Sequence, residues 1–262
     1  MSAYLADTHA HLADPALFLD VEEIVATALA VGIERILAVG TDLATSRACV
    51  GLADRFGAVF AAVGTHPHDA ATFEDYILDE LRALAPHPKV VAIGEIGLDY
   101  YRDHAPRDRQ LAAFRRQLEL AAELSLPVIV HNREADQDVL EAIAATARPQ
   151  SLAGRAGVLH CFTGSAELAA RAKGLGFYVS FAGNLTYAKA SELRLVAAKV
   201  ASDQILVETD CPYLAPESLR GRTNRPANVR LVAERLAELR GQSFSDIAAQ
   251  TSLNAEKLFG WG

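Results

Sequence analysis

The sequence predicts an α/β fold, a single (β/α)₈ barrel of the TIM type over residues 1–262, and three observations support this prediction. About eight short apolar runs rich in strand-forming residues are bounded by turn residues. Segments with helical periodicity separate these runs. No linker or change in composition interrupts the series, which favours one barrel domain over an open doubly wound sheet.

The predicted strands alternate with helical segments along the whole chain. Their composition, rich in valine, isoleucine and phenylalanine, is typical of parallel strands that are buried on both faces. The strands are AYLAD (3–7), RILAVG (35–40), VFAAVG (59–64), VVAIGE (90–95), LPVIVH (126–131), GVLHCF (157–162), FYVSFAG (177–183) and QILVETD (204–210).

The helical segments carry their own start and stop signals. The first long one begins at Asp20, which has Glu23 at the spacing of a capping box, and it ends before Gly32. After the last strand, residues 228–240 and 245–258 show helical periodicity and complete the series.

Composition and charge narrow the class of protein. The 51% hydrophobic and 22% charged content is typical of a globular protein with a sizeable core. We expect a cytoplasmic protein with no membrane segment and no obligatory protein partner, because the sequence shows no signal peptide, no long apolar run and three cysteines without disulfide spacing. The net charge of −8 disfavours broad nucleic-acid binding, although it permits a local phosphate site.

Residue types that bind metals stand at the C-terminal ends of five predicted strands, where barrel enzymes carry their active sites. A lone histidine at a strand end is more often structural, but this coincidence on five strands predicts a metal site. The alternation of a strand also puts the two histidines of DTHAHL on one face as a chelating pair. The candidate ligands are His9, His11, Glu95, His131, His160 and Asp210.

Several other residues are candidates for catalysis or substrate binding. His66 follows the third strand and could contact a leaving group, donate a proton or brace a loop. Glu208 could position a histidine or form an ion pair inside the barrel. Arg133 could hold a phosphate oxygen, whereas Tyr100 and Tyr101 could stack on a nucleobase or pack against the rim.

The motifs DTHAHL, GTHPHD, AIGEIGLDYYRD, VIVHNREA, LHCFTG and LVETDCPYL occur in this order across nearly the whole chain. They resemble the successive motifs of the TatD family of metal-dependent hydrolases and deoxyribonucleases. The resemblance implies a barrel with two divalent metal ions. It assigns one ion to His9, His11 and Asp210, the other to His131 and His160, and the bridging position to Glu95.

Two departures from related patterns carry expectations. Many relatives in the wider amidohydrolase set bridge their metals with a carboxylated lysine, and Glu95 stands at that position here. We expect Glu95 to lie exposed at the barrel rim, with Gly94 and Gly97 leaving room for backbone and metal. The family's Arg-Asn-Glu-Pro run after strand eight is replaced by TNRP, so Arg222 or Arg225 is expected to bind phosphate instead.

The implied reaction is hydrolysis of phosphodiesters by a 3′–5′ exonuclease acting on single-stranded DNA ends. Two cations would activate a water and neutralise charge on the phosphoryl group, while Asp210 orients or deprotonates that water. The alternatives are an ester or amide hydrolase, such as a D-aminoacyl-tRNA deacylase or a small-molecule amidohydrolase, and a non-catalytic metal-binding interaction protein. Histidine ligands suit Zn, Mn, Fe, Co or Ni, whereas the resemblance also implies Mg.

Overall fold

Eight parallel strands form one sheet whose order in space is the order in sequence. The computed structural model describes residues 4–146, 152 and 154–261. The sheet returns on itself where Ala10 pairs with Cys211, so the predicted (β/α)₈ barrel is confirmed. The strands are β1 (Leu5–Ala10), β2 (Ile33–Val39), β3 (Val59–Val63), β4 (Val90–Asp99), β5 (Val128–Arg133), β6 (Gly157–Leu159), β7 (Phe177–Phe181) and β8 (Ile205–Val207).

Ten α-helices lie among the described residues, most of them between consecutive strands. None of these helices combines the length and apolarity that a bilayer span requires. The predicted capping box is wrong: Asp20 has φ −104° and ψ 13°, outside the extended conformation of a capping residue, and its side chain caps no amide. The helices are α1 (Pro15–Phe18), α2 (Val21–Ala30), α3 (Leu43–Arg55), α4 (Asp75–Leu84), α5 (Arg107–Leu124), α6 (Asp136–Ala145), α7 (Ala166–Gly174), α8 (Ser191–Lys199), α9 (Val229–Arg240) and α10 (Phe244–Phe259).

Two apolar clusters form the core. The larger joins the strands to the surrounding helices, and the smaller contains side chains such as Leu37, Ile129 and Leu206 together with Trp261. The ring of Trp261 lies 5.2 Å from that of Phe60, near the beginning of β3, and is tilted by 46° to it. The end of the chain therefore closes the barrel at the N-terminal ends of the strands and leaves the opposite end for a site.

Strand β4 contains an irregularity at the residue of greatest interest. Between Ile93 and Ile96 it holds one residue more than the facing stretch of β5, which places a bulge at Glu95. A Cβ at Gly94 would lie 2.6 Å from the side chain of Ile129, and a Cβ at Gly97, where φ is +140°, would overlap the β5 backbone. Both glycines therefore make room for β5, which confirms the expectation of space for backbone at these positions.

Candidate metal centre

A first cluster of donors faces one oxygen of the Glu95 carboxylate and consists of His9, His11 and Asp210. Glu95 Oε2 lies 3.4 Å from His9 Nε2 and 3.7 Å from His11 Nε2. Asp210 Oδ1 lies 3.2 Å from His11 Nε2 and 3.8 Å from His9 Nε2. Two imidazoles and two carboxylates thus converge from three different parts of the chain.

A second cluster, His66, His131 and His160, faces the other oxygen of Glu95. The distances from Glu95 Oε1 are 3.3 Å to His66 Nε2, 3.0 Å to His131 Nδ1 and 2.8 Å to His160 Nε2. The two oxygens of one carboxylate therefore contact two separate groups of imidazoles.

Glu95 is only 2% exposed, so the expectation that it stands exposed at the rim is wrong. The β4 bulge turns it inward among the histidines. Burial would raise the pKa of this carboxyl, but His160 and His66 outweigh burial and hold the pKa well below its usual value. The residue is therefore a buried anion that its imidazole neighbours stabilise.

The donors fit divalent metal ions. Imidazole nitrogens and carboxylate oxygens are the ligands that zinc and similar metals prefer. His9 is completely buried, and its Nδ1 has no hydrogen-bond partner among the described residues, so its ring is not held by hydrogen bonds alone. Groups of His9, His11 and Glu95 and of His66, Glu95 and His131 each bring one ligand atom per residue within 4.8 Å of one another.

Backbone contacts between β1 and the segment after β8 hold the first cluster. The amide of Asp210 donates to the carbonyl of His9 at 2.9 Å, and the amide of His11 donates to that of Cys211 at 2.8 Å. Asp7 reinforces this pairing, because its carboxylate accepts bonds from the amide (2.8 Å) and hydroxyl (2.6 Å) of Thr209. Burial, opposed by these bonds, raises the pKa of Asp7 to about 8.

Asp99 holds the second cluster from the side. Its Oδ2 lies 3.2 Å from His131 Nε2 and 3.0 Å from His68 Nε2, while Oδ1 accepts the amides of Tyr101 and Arg102. Burial would raise the pKa of Asp99, but hydrogen bonds with His131, the Arg102 amide and His68 outweigh burial and lower it. Asp99 thus orients the His131 ring whose other nitrogen faces Glu95.

Two buried glutamines of α5 support the same half of the site. The Gln117 amide group binds both the N–H (2.7 Å) and the carbonyl (3.1 Å) of Thr65, the residue before His66. Gln110 binds the N–H (2.8 Å) and the carbonyl (3.1 Å) of Asp99 in the same way. Helix α5 therefore fixes the end of β4 and the loop after β3, both of which carry site residues.

Glu208 lies behind His160. Its Oε1 is 3.4 Å from His160 Nδ1 and accepts the amide of Cys161 at 2.7 Å. Burial would lower the pKa of His160, but Glu95 and Glu208 outweigh burial and raise it well above its usual value. Glu208 was expected either to position a histidine or to form an ion pair inside the barrel, and this geometry favours the first role.

A cavity of about 710 Å³ opens above the two clusters at the C-terminal ends of the strands. His11, His66, Glu95, His131, His160, Asp210 and Arg133 are among the predicted site residues that line it. Burial, opposed by Glu95, lowers the pKa of His66 to about 4, so its imidazole is neutral at pH 7.

Three predicted substrate contacts lie elsewhere. The hydroxyl of Tyr100 donates to Asp138 at 2.6 Å, and Arg225 lies 3.5 Å from Glu23 on α2. Arg222 is exposed, and none of the three lines the cavity. The expectation that Arg222 or Arg225 faces the site is wrong, because buried Asn224 binds the carbonyls of Thr209 and Tyr213 and sets the course of this loop.

Sequence reasoning missed several residues that shape the site. Asp99 follows Glu95 by four positions within the GEIGLDYY motif, and this even spacing on a strand is a signal that could have found it. Gln110 and Gln117 lie seven residues apart on the otherwise apolar face of a helix. This pattern is a weaker signal of a role in the site than the spacing of Asp99. Asp7 carried no pattern that separates it from other polar residues.

Comparisons with known proteins find relatives over nearly the whole chain. The family model described as TatD related DNase matches residues 6–260. An uncharacterized metal-dependent hydrolase, YabD of Bacillus subtilis, is 41% identical over 255 residues, which cover 97% of this chain and 98% of the relative. The 3′–5′ ssDNA/RNA exonuclease TatD of Citrobacter koseri is 36% identical over 92% of this chain and 93% of its own. The crystal structure of YjjV, a TatD homologue from Escherichia coli K12, superposes with a TM-score of 0.91 at 32% identity, covering 99% of each chain.

Proposed function

Because the chain belongs to the TatD family of metal-dependent hydrolases, we propose that it removes nucleotides from single-stranded DNA ends, using two divalent metal ions. One observation carries this proposal: the two oxygens of Glu95 face two separate imidazole clusters on the floor of one cavity. A carboxylate so placed would be a ligand of both ions, and two such ions would supply the positive charge that in-line displacement at phosphorus requires.

The nucleic-acid substrate is supported by a relative that aligns over almost its full length. The Citrobacter koseri protein is named a 3′–5′ exonuclease of single-stranded DNA and RNA, and the alignment leaves no separate domain of that protein unmatched, since 93% of it is covered. We therefore propose the 3′–5′ direction for this chain as well.

The two clusters divide the ligands between two ions. His9, His11 and Asp210 would hold the first ion, His131 and His160 the second, and Glu95 both. Such ions, when bound, lower the pKa of a water and offset the charge that builds on the phosphoryl group. Histidine nitrogens favour Zn, Mn, Fe, Co or Ni over Mg, so we propose a transition metal here.

Asp210 and His66 are the side chains best placed to act on the reacting atoms. Burial would raise the pKa of Asp210, but the contact with His11 outweighs it, so Asp210 is a carboxylate at neutral pH and can accept a proton from the attacking water. The water oxygen joins phosphorus, the bond from phosphorus to O3′ breaks, and O3′ takes a proton from solvent. Neutral His66 hydrogen-bonds an oxygen of the phosphodiester and does not supply that proton.

The test is a hydrolase panel with metal quantitation. Purified protein should degrade 5′-labelled single-stranded DNA, and Glu95→Gln and Asp210→Asn should abolish this activity, whereas the exposed control Glu167→Gln should retain it. RNA, D-aminoacyl-tRNA, lactones and amides belong in the same panel. Efficient turnover of an ester or amide without DNA cleavage would refute the proposed substrate, and full activity in both site variants would identify a contaminating nuclease.

A further inference from the structure

We infer that the cavity is closed at one end and open at the other, so that a strand binds end-on. Its terminal nucleoside lies against Tyr213, and the rest of the chain leaves past Arg133. This inference rests on the proposed function and adds an orientation of the substrate to it.

The closed end lies between the loop after β1 and the loop after β8. The hydroxyl of Tyr213 donates to Asp14 Oδ2 at 3.0 Å and so joins two segments 199 residues apart. The Tyr213 ring lies 5.8 Å from that of His11 in the first cluster and is 55% exposed, which leaves surface for a base to stack on. Ala13, Asp14, Pro15, Tyr213 and Leu214 form this wall, and it contains no cation.

The open end continues into a second cavity of about 540 Å³ above β5 and β6. The two cavities share Asn132, Arg133, His160 and Thr163, so they adjoin at these residues. Arg133 therefore stands where the first cavity meets the second.

Charge distinguishes the two ends. Arg102 and Arg133 are the arginines among the described residues that line the first cavity, and their guanidinium carbons lie 5.7 and 4.0 Å from the ring centre of Tyr101. Within the described part of the chain, Arg133 forms no ion pair, so its guanidinium is available to a phosphate. Asp14 stands at the closed end instead.

These charges orient the strand. The nucleoside at a 3′-hydroxyl end has no phosphate beyond the scissile one, so it fits a wall that carries a carboxylate. Each nucleotide on the other side adds a phosphate, which needs the cationic end. The second cavity is also lined by Glu134 and Asp136, whose negative charges disfavour further phosphates. Arg133 therefore binds one phosphate, and the cavity does not bind a long run of them.

The closed end is tested with decanucleotides that end in a 3′-hydroxyl or a 3′-phosphate, and with circular single-stranded DNA. Wild-type protein should hydrolyse the 3′-hydroxyl strand at least about tenfold faster than the 3′-phosphate strand, because Asp14 repels the added charge. Asp14→Asn should reduce this ratio, and the exposed control Asp20→Asn should preserve it. Equal rates on both ends, or circles cut as fast as linear strands, would overturn the inference.

The open end is tested by chain length. Arg133→Gln should raise KM for a decanucleotide about tenfold more than KM for a dinucleotide, since the dinucleotide has no second phosphate. The same variant should lower the slope of log(kcat/KM) against log salt by about 0.7. Arg171→Gln, an exposed substitution on α7, serves as the control. An equal effect of Arg133→Gln on both lengths would overturn this half of the inference.

Failure of the proposed function would look different, because wild-type protein would then leave every phosphodiester intact. The same substrates can also be compared by fluorescence anisotropy on Asp210→Asn, which measures binding without turnover. If the strand binds end-on, Asp210→Asn should also bind the 3′-hydroxyl strand more tightly than the 3′-phosphate strand. Loss of this preference would refute the orientation, whether or not the wild-type protein is active.

Discussion

The two halves of the metal centre are built in different ways. The first cluster stands on β1 and the segment after β8, and backbone hydrogen bonds between these segments hold it, with Asp7 and Thr209 behind them. The second cluster stands at the ends of β3, β5 and β6, and side chains of β4 and α5 hold it, chiefly Asp99 and Gln117.

The difference teaches where each half is vulnerable. Backbone pairing depends on strand register and survives most side-chain changes, whereas a ring oriented by one carboxylate depends on that carboxylate. The second half should therefore lose metal through substitutions that the first half does not sense. Four variants test this comparison.

The largest effect is expected from Glu95→Gln, because Glu95 is the residue that both halves share. The neutral amide cannot balance the surrounding histidines or hold two cations. Activity should fall by more than the roughly 100-fold typical for loss of an outer partner of a ligand. Elemental analysis should show that both ions are lost, and retention of one ion at full occupancy would mean that the halves are independent of Glu95.

Asp99→Asn should weaken the second half selectively. The amide keeps the shape of Asp99 but not the charge that orients His131, so affinity for the second ion should fall about 10–100-fold. A Co²⁺ titration of metal-free protein followed by its visible spectrum should show the later binding step shifted and the earlier one retained. Equal weakening of both steps would contradict the division into halves.

Thr209→Val tests the first half with a near-isosteric change. It removes the hydroxyl that donates to Asp7 and keeps the hydrogen bond from the Thr209 backbone N–H to Asp7. The free energy of unfolding should therefore fall by about 1–3 kcal/mol. Thr251→Val removes a buried hydroxyl from α10 and provides the matched control. Chemical denaturation should show a loss in both, and only Thr209→Val should also shift binding of the first ion.

Gln117→Leu should have the smallest effect on activity, because Gln117 acts on His66 through the backbone of Thr65. Two buried backbone groups lose their partner, so stability should fall by about 1–3 kcal/mol. Gln204→Leu breaks two comparable bonds, to Ala169 and Phe177, away from the site. If both variants lose the same fraction of kcat, Gln117 has no role beyond folding.

The fold and the ligand types could be predicted from the sequence for a simple reason. Strand runs and helical periods are local, and a parallel barrel gathers the C-terminal ends of all its strands at one rim. His9, His11, His131, His160 and Asp210 therefore had to approach one another once the barrel was recognised.

The outer contacts could not be predicted in the same way. The bulge that turns Glu95 inward depends on the register between β4 and β5. Arg225 faces Glu23 because the neighbouring Asn224 anchors the loop after β8 to the carbonyl of Thr209. Such contacts depend on where loops and side chains come to rest against distant parts of the chain.

By itself, then, the sequence determined the barrel, the family and the donors that meet at its rim, since these follow from local periodicity and motif order. Only the tertiary structure decided that Glu95 is buried between two clusters, that Asp99 contacts His131, and that Tyr213 hydrogen-bonds Asp14 beside the cavity. The physical reason is distance along the chain: Tyr213 and Asp14 are 199 residues apart, and no local pattern specifies that they touch.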